Sequence, residues 1–365
     1  MAILEKIVVS NYRNIEFQEL SFSPNVNCIS GNNGEGKTNL LDAIYYLSMT
    51  KSAFSTSDRF NFRYGTEDFS LCGTYRMPNG LETKFSISVQ SKGEKKLKKD
   101  EKAYNRISEH IGAPPIVMVS PSDISLVSES GDERRKFVNS VLSQMDREYL
   151  SAAQQYNRLL TNRNSMLKGK HPDRDLLAVF GLKMQQYAQV MYDARKRFTE
   201  QLKPIVAEYY RAISGDSETV DIEYRSDLAK GSLDSLFEAS FEKDAALGYT
   251  TAGVHRDDFI FTMNGHPIRR CGSQGQQKSF LVSLKFAQYE IMKTSYGFTP
   301  ILLLDDVFDK LDMSRISHLL SMVVSNDFGQ IFITDSNKVR LSGIVDSFTA
   351  DRAYFETEKG QFTAL

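Results

Sequence analysis

Residues Gly31-Asn32-Asn33-Gly34-Glu35-Gly36-Lys37-Thr38 follow the spacing G-x-x-x-x-G-K-T, directly after the apolar stretch Val26 to Ile29. Each part of that spacing has a chemical use. Glycines let consecutive backbone N–H groups turn inward and wrap phosphate oxygens. Lys37 is placed to reach the β and γ phosphates, and Thr38 to offer its hydroxyl to Mg²⁺. The segment Asn39 to Ser48 reads as a helix whose positive N-terminal end faces the nucleotide. The pattern predicts a nucleoside triphosphate site.

Two further stretches complete the chemistry. Ile301-Leu302-Leu303-Leu304-Asp305-Asp306 is an apolar strand that delivers two carboxylates to its C-terminal edge, where ligands bind in open α/β sheets. Asp305 is expected to hold Mg²⁺ beside Thr38, directly or through water. Asp306 is expected to face the γ-phosphate and orient the attacking water. It is one methylene shorter than a Glu, which favours slow hydrolysis. Ser273-Gln274-Gly275-Gln276-Gln277-Lys278 supplies a hydroxyl, an amide and a flexible Gly at a helix N-terminus, a second anion site. One nucleotide has little use for two such helix ends from one chain. Ser273, with Gln274 and Gly275, is therefore expected to serve the nucleotide of a second subunit. The plainer reading is an ordinary cap before an amphipathic helix.

The elements around these motifs read as a split α/β domain. Leu4 to Val9, Val26 to Ser30, Phe69 to Tyr75 and Leu81 to Val89 have strand character, and Pro78-Asn79-Gly80 turns between the last two. Lys92 to Arg106 carries seven basic and three acidic residues. It reads as a solvated loop or helix face, or as a phosphate-contacting edge. From Glu133 to about Ser214 the period becomes helical, first Val138 to Leu160 and then, after Gly169-Lys170-His171-Pro172, Leu177 to Ile205. Such a seam predicts an antiparallel helical hairpin with helices of about 35 residues and roughly 50 Å. Strands return at Val220 to Tyr224 and Phe259 to Met263, with a turn at Asn264-Gly265. A helix from about Gln276 to Lys293 leads to strand Pro300 to Leu304, and one more helix precedes strand Gln330 to Thr334. The expected division is an ATPase domain over 1–125 and 216–365 with an inserted helical domain over 126–215.

Composition narrows the class. At 365 residues, 41% hydrophobic and 25% charged, the chain is expected to be globular with two domains or one large insertion. No apolar run approaches the roughly 20 residues of a membrane span, and the N-terminus has no signal-peptide core. Three isolated cysteines, Cys28, Cys72 and Cys271, suggest neither disulfides nor a zinc site, and a cytoplasmic location is expected. A net charge of −1 offers no global attraction to nucleic acid, so DNA contact would need a local patch.

Four blocks together resemble the RecF family, relatives of the ABC and SMC ATPases. They are Ser30 through Leu41, Gly253-Val254-His255-Arg256-Asp257-Asp258, Gly272-Ser273-Gln274-Gly275-Gln276-Gln277, and Leu302-Leu303-Leu304-Asp305-Asp306. Asn11-Tyr12-Arg13-Asn14 and Arg134-Arg135-Lys136-Phe137 match in kind. The resemblance implies an α/β ATPase head of ABC/SMC type, split in sequence by a helical insertion. It implies an ATP-binding DNA repair protein that dimerises head to head, recognises gapped DNA or single-strand/double-strand junctions, and loads recombinase with RecO- and RecR-type partners. Ser273 would contact ATP across the dimer, Arg13 would approach the phosphates, and Asp309 to Asp312 would touch the opposite subunit. That last loop reads Asp309-Lys310-Leu311-Asp312 where the family has [SA]-x-Leu-Asp, and Asp335 stands where many ABC proteins have His. Asp123 is the candidate Q-loop residue. Lys95, Lys96, Lys98, Lys99, Arg195, Lys196 and Arg197 are candidate DNA contacts. Two competing classes share the motifs, an SMC-like structural ATPase and an ABC-type transport ATPase. The insertion of about 80 residues is short for the first, and Gly253 to Asp258 speaks against the second.

Overall fold

The computed structural model describes residues 1–169, 172–215, 218–307, 328–346, 349 and 351–365. The loop Asp309–Asp312 and the helix expected before Gln330 lie outside the described residues. Among the described residues no helix is long and apolar enough to cross a membrane.

The chain divides into two compact units, one of 1–124, 212–214 and 285–365, the other of 125–211 and 215–284. The second unit is therefore larger than the expected insertion over 126–215. It takes in the strands and loops of 215–284 because these are tied to the helices by buried ion pairs such as Arg195–Asp257.

The first unit holds two sheets with a helix between them. One sheet is antiparallel, in the order Ile15–Ser21, Ile3–Tyr12, Asp68–Arg76, Glu82–Gln90, Lys95–Lys99, Lys102–Ala103. Its strands alternate buried and exposed residues, as in Asp68–Arg76, the mark of a sheet with one face on a core. The basic run is thus strand rather than loop or helix. Leu97 pairs with Ile87 and is buried, while the flanking lysines line the outer strands, where charge discourages edge-to-edge pairing. Lys95 turns inward, donating to the Thr50 carbonyl at 2.8 Å and pairing with Asp58 at 2.8 Å, so it is a structural group rather than a DNA contact. Lys96 pairs with Glu94 and Lys98 with Glu101. Lys99 is exposed.

The other sheet runs Gln361–Ala364, Arg352–Glu358, Val26–Ser30, Ile331–Asp335, Ile301–Asp305, Ile116–Val119. All neighbours are parallel except the hairpin of the first two. Val26–Ser30, Ile301–Asp305 and Ile331–Asp335 are buried along their whole length, as parallel strands covered on both faces must be. Helix Lys37–Met49 lies within the core that both sheets share: Leu40, Ile44 and Leu47 join Val9 and Leu71 from one sheet and Ile29 and Leu303 from the other. A helix apolar on nearly all sides has no amphipathic stripe, and burial explains this one.

The second unit includes the helices Gly131–Met145, Arg147–Leu167, Arg174–Ser214 and Leu233–Leu247, beside a small sheet of Val220–Arg225, Asp258–Met263 and His266–Pro267. The first expected long helix is broken at Asp146. Its backbone is extended (φ −131°) and its carboxylate caps the Glu148 and Tyr149 N–H groups. The apolar period continues across the break, which is why periodicity alone joins the two helices. The second is longer than expected, 41 residues with Pro204 inside it.

Among the described residues, ion pairs of three buried arginines fasten this unit. Arg195 is 1% exposed and meets Asp257 at 2.6 Å, the Val254 carbonyl at 2.7 Å and Asn139 at 2.9 Å. Arg163 meets Asp244 at 2.9 Å, and Arg134 grips both oxygens of Asp258 at 2.8 and 3.0 Å. Arg195 is therefore not available to DNA: on the inner face of its helix, its charge is spent on the Gly253–Asp258 turn. Its neighbours Lys196 and Arg197 are exposed.

Candidate nucleotide-binding site

The site is built where the parallel strands of the first unit end. Ser30 pairs in register with Asp335 and Glu356, and Asp305 with Thr334, so their C-terminal ends share one edge. The chain leaves Ser30 through Gly31 (φ 156°), Gly34 (φ 87°) and Gly36 (φ 110°), conformations that favour glycine. Gly36 is the N-cap of helix Lys37–Met49 and supplies no side-chain cap, and the first turn carries no acid. The positive helix end is left for an anion.

Lys37 is 4% exposed, and its Nζ donates to the carbonyls of Gly31 at 2.7 Å and Asn32 at 3.1 Å. The ammonium therefore sits inside the turn of the loop. Thr38 Oγ1 lies 3.0 Å from each oxygen of Asp305. Thr334 Oγ1 donates to Asp305 Oδ1 at 2.8 Å and accepts from the Asp306 N–H at 3.0 Å. Burial pushes the Asp305 carboxyl up to about 6; nearby Asp306 adds to this, and the Thr334 and Thr38 hydroxyls oppose it. A hydroxyl and a buried carboxylate in contact are hard oxygen donors, and a small divalent cation bridging to phosphate fits that pair. Asp306 is half-buried in a left-handed backbone (φ 43°), a step beyond the strand.

Gly31 to Thr38, Asp305 and Asp306 are thus brought together. Asp335 lies at the same edge, buried, with its carboxylate accepting from the Asn337 N–H at 2.7 Å. Asp123 caps its own turn through the Ser120 N–H at 2.8 Å and pairs with Lys285 at 2.9 Å. Arg13, expected at the phosphates, instead lays its guanidinium against the phosphate-loop helix. It pairs with buried Asp42 at 3.0 Å and reaches Ser52 at 3.0 Å and Asn39 at 3.4 Å. Its left-handed backbone (φ 54°) in the turn between the first two strands turns it that way.

Ser273, Gln274 and Gly275 belong to the second unit. Ser273 is exposed at the start of helix Gln274–Tyr296 and forms a reciprocal cap: its N–H donates to Gln276 Oε1 at 2.7 Å, and its Oγ accepts from the Gln276 N–H at 3.3 Å. Gln276 is in turn held by Glu218 at 2.6 Å. The plainer reading, a cap at the start of an amphipathic helix, is what these bonds make.

Sequence reasoning missed Asn14, Asn39, Thr334 and the hairpin Arg352–Ala364. Asn14 Oδ1 accepts from Asn39 Nδ2 at 2.7 Å, and its Nδ2 reaches the Glu35 carbonyl at 3.3 Å. The hairpin left one usable signal, Lys359-Gly360 between alternating apolar residues.

The AAA domain family model matches residues 6–230. The DNA replication and repair protein RecF of Parabacteroides distasonis is 44% identical over 98% of this chain and 98% of its own length. That of Porphyromonas gingivalis is 44% identical over 98% and 99%. A solved structure of the recombination mediator protein RecF with ATP, of the RecFOR pathway, matches with a TM-score of 0.90 at 30% identity, covering 100% of this chain and 98% of that one. An Smc head domain from Pyrococcus furiosus matches at TM-score 0.60 and 13% identity, which bears on the fold alone. The phosphate loop and acidic strand are shared with other ATPases, but identity of 44% over nearly the whole length of these relatives decides among them: the chain belongs to the RecF family.

Proposed function

We propose that the chain is an ATP-dependent DNA-binding protein of recombinational repair and replication restart, working in the cytoplasm with RecO- and RecR-type partners. ATP is bound by Gly31 to Thr38, and Mg²⁺ is held by Thr38 and Asp305, where it offsets phosphate charge. Lys37 steadies the β and γ phosphates, and Asp306 orients the attacking water. Ser273, Gln274 and Gly275 of a second copy close over the same nucleotide, so ATP favours the homodimer by mass action. Hydrolysis is slow and releases the dimer. DNA is held mainly through its phosphates, at single-strand/double-strand junctions and gaps, by groups such as Lys96, Lys98, Lys99, Lys196 and Arg197. Its affinity therefore falls with salt. The observation that carries this reading is the Thr38–Asp305 contact at 3.0 Å beside an uncapped helix end.

Sedimentation and gapped-DNA binding with a non-hydrolysable ATP analogue test it. Wild type should dimerise and bind DNA more tightly with the analogue. Lys37→Met should lose nucleotide binding, whereas Ser273→Arg should keep it and fail to dimerise. A wild type that stays monomeric, with DNA affinity indifferent to ATP, would end the proposal.

A further inference from the structure

The hairpin Arg352–Ala364 touches the phosphate loop at four points. The Glu35 carbonyl accepts from the Gly360 N–H at 2.9 Å and from Thr357 Oγ1 at 3.1 Å. The Glu35 carboxylate accepts from the Lys359 N–H. A Cβ added to Gly31 would lie 2.6 Å from both Thr357 Cγ2 and the Thr357 carbonyl oxygen, so these backbones are in direct contact. Lys359 (φ 49°) and Gly360 (φ 80°) form the two-residue turn between paired Glu358 and Gln361, the left-handed pair a tight hairpin demands. Thr357 is 3% exposed.

The consequence follows from the planarity of the peptide unit. The Glu35 carbonyl and the Gly36 N–H belong to one plane and point in opposite directions. With Asn14 Nδ2 as a third donor, at 3.3 Å, the carbonyl is held toward the hairpin, and the Gly36 N–H is thereby turned the other way. Glu35 also brings a negative charge into a loop built for polyphosphate. Its bond to the Lys359 N–H keeps that charge on the hairpin side.

We infer that this hairpin sets the shape of the phosphate loop: Thr357 and Gly360 are positioning residues that aim the Gly36 N–H at the phosphates, and Lys359 holds the Glu35 carboxylate away from them. The inference rests on the nucleotide reading of Gly31 to Thr38. Loop N–H groups wrap the α and β phosphates whereas the loop lysine reaches β and γ. A misaligned loop should therefore weaken ADP and ATP alike.

Thr357→Val keeps the branched shape and the contact with Gly31 but removes the hydroxyl. ADP and ATP affinity should each fall roughly three- to tenfold, the worth of one hydrogen bond. Thr357→Ser should restore both. Amide exchange at residues 32–36 in the nucleotide-free protein should be faster in Thr357→Val and normal in Thr357→Ser. Gly360→Ala should weaken binding further, since its Cβ would stand 2.4 Å from the Asn14 carbonyl oxygen. Equal affinities in wild type and Thr357→Val overturn the inference, as does a Thr357→Ser variant as weak as Thr357→Val. If wild type binds neither nucleotide, the nucleotide reading falls instead. Unchanged amide exchange in Thr357→Val then overturns the hairpin's role separately.

Discussion

Arg195→Met should cost the protein about 3–5 kcal/mol, the usual penalty for removing one partner of a buried ion pair. Arg195 and Asp257 have side chains 1% and 0% exposed, so the abandoned carboxylate has no water to turn to. Three more acceptors lose a donor at once, the Val254 carbonyl, Tyr149 Oη and Asn139 Oδ1. Tyr224 donates to Asp257 and would remain as its support, which is why complete collapse is not expected. Replacing both members, Arg195→Met with Asp257→Leu, should recover much of the loss, because two apolar groups leave no charge stranded. Urea unfolding of the single and double variants decides the matter. A single variant within about 1 kcal/mol of wild type, or a double variant worse than the single, would show that the pair does not fasten the unit.

The second large effect has the opposite sign. The folded Asp305 carboxyl sits at about 6, above its ordinary value of 3.8. The native state thus holds this proton more tightly than the unfolded chain. The resulting contribution is fully present only below the unfolded value of 3.8 and is lost as pH rises through 6. By pH 7.5 the ionised group has cost about 3 kcal/mol, because each pH unit between the unfolded and folded values is worth about 1.36 kcal/mol. Asn does not ionise and can still bond both threonine hydroxyls. Asp305→Asn should therefore match wild type at about pH 3 and exceed it by up to about 3 kcal/mol at pH 7.5, without nucleotide. With Mg²⁺ and ATP the order should reverse, wild type gaining by mass action and the variant little. Melting curves at both pH values, with and without Mg²⁺·ATP, provide the check. If the variant gains nothing at pH 7.5, burial does not raise the proton affinity of this group; if it keeps the full Mg²⁺·ATP response, Asp305 is not the metal's ligand.

The chemistry of the site was legible because it is local. Gly31 to Thr38 and Leu302 to Asp306 each carry their meaning in residues adjacent along the chain, and the strand Val26–Ser30 has the bounds its apolar run predicts. What depends on distant partners was not legible. Ile116–Val119 and Arg352–Glu358 are strands chiefly because the buried sheet offers them a neighbour. Lys95–Lys99 has the charge of a loop and becomes a strand around a single buried side chain, Leu97. Arg195, Lys196 and Arg197 look alike as a basic triplet, and only helix rotation decides that the first faces inward. Arg13 is the same lesson at the site itself: a cation that the family resemblance sends to the phosphates is held by Asp42, a carboxylate on the helix behind it.

The sheet order also fixes when the site can exist during synthesis. Val26–Ser30, which launches the phosphate loop, is flanked on both sides by strands made far later along the chain, Ile331–Asp335 and Arg352–Glu358. At ordinary elongation rates of about 5–20 residues per second, the loop waits on the order of 20–60 s on the ribosome for its neighbours. Until then the strand lacks both neighbours, and the Glu35 carbonyl lacks its Gly360 and Thr357 donors. A stalled or truncated chain would carry the complete phosphate-loop sequence and still be unable to engage nucleotide. Only chains finished past Gly360 could answer to ATP, and that keeps partial products out of any assembly built on it.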